Sequence, residues 1–180
     1  MMAIFGIFWS LAMVGPWTNA GTIITAVVFI ALAIVYYIAG IIVMRNLKRW
    51  RTTHNPPPED VAAQSKRDAR TFGILFGTEG GLIAMASIIC VVVGHWEYIV
   101  PLIVLIMGAH FIPFAPMYHR RFDYIPGALG LCVGIGGIAA VSQGADPTLI
   151  VGVMGLGGAF CTTIYGLYDL WIIHRLTSDR

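Results

Sequence analysis

The chain has 180 residues, 58% of them hydrophobic and 11% charged. A soluble domain carries about 45–50% apolar and about 25% charged residues, so this balance excludes an ordinary water-soluble fold and argues against a nucleic-acid partner. The net charge of +2 says little by its size; where the cations fall says more.

A hydrocarbon core about 30 Å thick takes about 20 mostly apolar residues per helical crossing. Six apolar runs fit that requirement or approach it: 2–16, 22–44, 72–93, 98–117, 124–141 and 148–173. None alternates apolar and polar in the way a membrane β-barrel strand does. The expected fold is therefore all-α, a single membrane domain over 1–180 built as a bundle of six transmembrane helices.

The run 2–16 is short for a crossing, about 22 Å at 1.5 Å per residue. Small residues at Thr18 and Ala20 allow a cleaved signal peptide, but no basic residue precedes the run, so a span is expected. After 22–44 comes a loop, 45–71, carrying Arg45, Lys48, Arg49, Arg51, Lys66, Arg67 and Arg70. Arg120 and Arg121 lie in a second connection, Arg175 and Arg180 in the tail, and these positions account for all 11 Lys and Arg residues. Cations accumulate on the cytoplasmic side, and six alternating crossings bring these three segments to one face. The topology expected is N-in/C-in, and the location a bacterial inner membrane.

Within loop 45–71, Asn55-Pro56-Pro57-Pro58-Glu59-Asp60 reads as a helix stop followed by a helix start. Asn suits a cap, Pro a first turn without donors to satisfy, and acids the positive dipole end. Both flanking helices then extend beyond the membrane as a basic stalk, a solvated feature able also to dock a partner.

The run 72–93 contains Gly77-Thr78-Glu79-Gly80-Gly81, and glycines recur at 127, 130, 134, 136 and 137 and at 152, 155, 157 and 158. Small residues let membrane helices approach closely, so these three helices are expected to pack tightly, within the chain or in a homo-oligomer or membrane complex. The pairs Gly80-Gly81 and Gly157-Gly158 occupy corresponding third spans of two halves, but no further repeat aligns. Cys90, Cys132 and Cys161 lie in apolar runs without metal spacing and read as reduced packing residues.

Two ionisable residues fall well inside the runs, Glu79 and His110, each seven residues from the basic end of its span. A short turn joins the two helices, so they are antiparallel neighbours and the side chains can meet. An intramembrane acid pairs with something or faces a wet cavity. Pro113 and Pro116 remove donors owed to the carbonyls of Ala109 and Ile112, and a kink with free carbonyls beside His110 is expected. The candidate binding residues are therefore Glu79, His110, Thr78, Pro113 and Ala109. Tyr36, Tyr37, Thr162 and Tyr165, with Thr163, are expected to line the same cavity or to act as interhelical anchors. Asp169 is expected in a structural ion pair with Arg70, Arg120 or Arg121. The alternative reading of Glu79 and His110 is a structural hydrogen bond.

Nothing here is a nucleotide-binding loop, a dinucleotide fingerprint, HExxH or GxSxG. No catalytic residue, metal or cofactor is expected, and an enzyme acting on lipid would have to use His119, Asp123, Asp169 and His174. The functional expectation is binding or transport of a proton, cation or small polar solute. Its competitor is a structural or accessory membrane subunit working through helix packing and the basic stalk.

The segment His110-Phe111-Ile112-Pro113-Phe114-Ala115, followed by Tyr118, Tyr124 and Gly127, resembles a pattern of small uncharacterised bacterial inner-membrane proteins with several spans. The resemblance covers less than a quarter of the chain. It implies the bacterial cytoplasmic membrane and nothing about substrate.

Overall fold

The computed structural model describes residues 7, 9–11, 20–53 and 59–178. All regular structure among the described residues is helical: α1 (Ala20–Thr53), α2 (Glu59–Val92), α3 (Ile99–Met117), α4 (Tyr124–Ser142) and α5 (Pro147–Ser178), with single 3-10 turns at Trp96–Tyr98 and Arg121–Asp123. Five stretches are long and apolar enough to cross a membrane: Ile23–Val43, Glu59–Val92, Trp96–Met117, Arg121–Ser142 and Pro147–Ile172. The expected span 2–16 lies almost wholly outside the described residues, and so does the turn 54–58.

α2 has 34 residues, about 51 Å of helix, against about 30 Å of hydrocarbon. The excess is its first half, where Lys66, Arg67 and Arg70 are exposed. Glu59 and Asp60 sit in the first turn, where carboxylates meet unbonded amide donors and the positive dipole end. Of the expected loop 45–71, residues 45–53 belong to α1 and residues 59–71 to α2.

Two compact units make up the chain, residues 57–150 and residues 1–56 with 151–180. In the unit 57–150, α3 and α4 pack most extensively and α2 lies against α3. Lipid tails are as apolar as leucine, so helices in a membrane associate through close packing rather than hydrophobic exclusion. The α3/α4 seam is built accordingly. A Cβ added at Gly130 would stand 2.6 Å from the Gly108 Cα, and one at Gly134 would stand 2.7 Å from the Leu105 Cα. Only glycine permits those approaches. The glycines of α2 behave differently: nothing lies within 4 Å of a Cβ built at Gly73, Gly77, Gly80 or Gly81.

In the other unit, Gly166 lies against the Tyr36 ring, where an added Cβ would approach to 2.6 Å. Gly158 meets the Trp9 indole in the same manner. Tyr36 donates its hydroxyl to the Thr163 carbonyl at 3.2 Å, so this tyrosine is an interhelical anchor.

Three helix ends use one device. His95 N–H donates to the Cys90 carbonyl at 2.8 Å, Arg120 N–H to Ala115 at 2.9 Å, and Ala145 N–H to Ala140 at 3.0 Å. Each is a six-to-one bond closing a left-handed cap. Gly94 and Gly144 supply the positive φ at 80° in two of them, and His119 supplies it at 53° in the third.

Candidate functional site

Glu79 sits on α2, on the face it shares with Phe72 and Phe76, and His110 sits on α3 one turn before Phe114. The two helices pack together in one unit. This brings His110 Nδ1 to 3.1 Å from Glu79 Oε1, with side-chain exposures of 7% and 3%. The atoms are within bonding distance, yet neither they nor Glu79 Oε2 and His110 Nε2 have an aligned hydrogen-bond partner. Buried polar groups are nearly always hydrogen-bonded, so four such atoms at one place call for an explanation.

Around the imidazole the chain places aromatic rings. Phe111, Phe114 and Phe76 stand with centroids 4.4, 5.1 and 6.0 Å from it, the last two edge-on. Phe72 stacks on both Phe76 and Phe114, at 5.2 and 5.6 Å. Tyr118 continues the series from Phe114 at 5.9 Å. The result is a column of rings running from the pair to the helix end that carries Arg120 and Arg121.

The other residues expected at this site are placed differently. Thr78 is exposed, and so is Ala109, whose expected contribution was its backbone carbonyl; successive residues of a helix point about 100° apart. Pro113 is part-buried and α3 continues through both prolines to Met117. Tyr36, Thr162 and Tyr165 belong to the other unit. Thr162 donates to the carbonyls of Gly158 and Ala159, at 2.9 and 3.0 Å, on its own helix. Tyr37 is exposed.

Arg120 finds its acid close by. Its Nε lies 3.5 Å from Oδ2 of Asp123, whose side chain is 0% exposed. Asp169, the acid expected for Arg120 or Arg121, lies on α5, and Arg121 is exposed. Asp123 is the residue that sequence reasoning undervalued. Its signal was the Arg120-x-x-Asp123 spacing just ahead of an apolar run, where i and i+3 side chains meet and an acid entering a membrane needs a cation. Arg120 also stands over the Tyr118 ring at 5.1 Å. Burial holds the Tyr118 phenol above its ordinary value; Arg120 opposes this, and Asp68 and Asp123 add to it.

At the far end of the unit, His95 Nδ1 meets Glu97 Oε1 at 2.9 Å on the surface. Among the described residues no group of three His, Cys, Asp or Glu side chains is placed to hold a metal ion. Comparison of the chain with protein-family models, curated proteins and solved structures gives no match.

Proposed function

We propose that this chain is a multi-pass protein of the bacterial inner membrane, six spans with both termini cytoplasmic, that binds and passes a proton at the Glu79/His110 pair. The carrying observation is the 3.1 Å approach of two ionisable groups, both nearly inaccessible, with Oε2 and Nε2 free of partners. An ionised carboxylate alone in such surroundings is costly. Beside an imidazole it has two arrangements of equal net charge, carboxylate with imidazolium or carboxylic acid with imidazole. One proton moves between them without changing the charge buried. Imidazole is also the side chain whose ordinary titration lies nearest neutrality. The surrounding rings occupy the space a bulkier solute would need, which favours the proton over a cation or polar solute.

In vesicles reconstituted with the protein and loaded with a pH-sensitive dye, an imposed pH gradient should drive proton flux above that of empty vesicles. Glu79→Gln and His110→Ala should each reduce it at least tenfold. Flux unchanged in both variants, or equal to empty vesicles in the wild type, overturns the reading.

A second reading, a structural or accessory subunit, is favoured by one observation. Gly73, Gly77 and Gly81 recur every fourth residue along α2 with no neighbour within 4 Å, beside a stalk that exposes Lys66, Arg67 and Arg70. On that reading the chain works by packing against another helix, in a homo-oligomer or a larger membrane complex.

A further inference from the structure

We propose that Lys66, Arg67 and Arg70, on the face of α2 turned away from α3, form a site for the phosphate of an anionic phospholipid in the leaflet at the basic end of the unit 57–150. The inference is independent of the proton reading and rests on where α2 meets the bilayer.

From Arg70 to the end of α2 runs the stretch 71–92, in which Glu79 alone is charged. It is about 33 Å long at 1.5 Å per residue, against about 30 Å of hydrocarbon, which puts Arg70 at the hydrocarbon edge. Lys66 and Arg67 lie one turn further out, about 4.5–6 Å. The headgroup layer on each side is about 5–8 Å thick, so all three cations fall at the depth of the lipid phosphates.

Their face follows from the helix period. Arg70 precedes Glu79 by nine residues, which at about 100° per residue is half a turn out of phase. Glu79 points to His110 on α3, so Arg70 points away from α3. Lys66 and Arg67 stand four and three residues before Arg70 and share its side, and all three are exposed. Further into the membrane Ile74, Met85 and Ile88 continue that face, 59%, 53% and 63% exposed.

No acid answers these cations. Among the described residues none of the three is in an ion pair. Asp68 lies across the helix, where Gln64 donates to it at 2.8 Å, and both line the groove beside Tyr118. Glu59 and Asp60 are six or more residues further out, about 9 Å along the axis. Guanidinium grips phosphate oxygens with two parallel donors, and an ammonium adds a point charge. A zwitterionic lipid brings its own cation to this place and an anionic one does not, which gives the site its preference. The acyl chains then lie on the apolar residues below.

The test uses the full protein in lipid nanodiscs with a trace of phosphatidylglycerol or phosphatidylcholine carrying a photoactivatable diazirine near the glycerol end of one acyl chain, adducts being mapped by mass spectrometry. The phosphatidylglycerol probe should mark residues 71–78 at least about fivefold more than the phosphatidylcholine probe. Lys66→Gln, Arg67→Gln and Arg70→Gln combined should abolish that difference, and Arg67→Lys with Arg70→Lys should keep most of it. Arg121→Gln, on the connection between α3 and α4, should leave it unchanged. Inorganic phosphate at constant ionic strength should not compete; competition would assign the cations to free phosphate and overturn the lipid. Equal marking by the two probes, a preference that survives the triple change, or its equal loss in Arg121→Gln overturns the site. So does the absence of marking by either probe, the result expected where another protein chain covers the face. None of these outcomes bears on proton flux through Glu79 and His110.

Discussion

His110 and Glu79 illustrate how a single residue's meaning depends on its partner. Removing one member of a buried ionisable pair strands the other and costs about 3–5 kcal/mol, whereas replacing both with well-packed apolar groups is often neutral. Glu79→Leu and His110→Phe should each therefore destabilise the protein by about that much, the phenyl ring joining Phe76, Phe111 and Phe114. The double variant should be more stable than either single one, and chemical denaturation in detergent measures all three. Strictly additive losses would mean that the 3.1 Å approach carries no coupling. The pair itself was legible from sequence, since both residues lie equally deep in consecutive antiparallel runs. That the adjacent Thr78 and Ala109 are exposed was not legible, because a depth estimate contains no azimuth.

Helix ends show what local chemistry decides. The runs 98–117 and 124–141 end within two residues of α3 and α4, because glycine, proline and charge punctuate an apolar pattern sharply. The cap at His119 is the exception. A non-glycine residue at positive φ costs roughly 1–2 kcal/mol, while glycine brings an unfolded-state entropy cost of about 0.5–1 kcal/mol. His119→Gly should therefore stabilise the protein by about 0.5–1 kcal/mol, read as a higher denaturant midpoint. A lower midpoint would assign His119 a favourable side-chain contact that outweighs its backbone. Nothing in the residue order marked this cap, since its two equivalents end in glycine.

For the molecule as a whole, the glycine-bearing helices divide by what they meet. Gly127, Gly130 and Gly134 of α4 lie against Gly108 and Leu105, while Gly136 of α4 and Gly73, Gly77, Gly80 and Gly81 of α2 stand open among the described residues. Gly77 is exposed, so Gly77→Leu should leave the fold intact. If α2 meets a second copy, the same change should weaken self-association in bilayers at least tenfold, a loss of about 1.4 kcal/mol, as read by energy transfer between labelled chains. Association equal to the wild type removes this face from any oligomer. Composition and run length alone were enough to read the described residues as helical, with stretches long and apolar enough to cross a membrane, because a bilayer imposes length and apolarity on each crossing segment separately. Which glycines make contact, which arginine holds Asp123, and that rings surround His110 were decided only when the helices packed, since rotation and register about each axis depend on neighbours that no single segment contains.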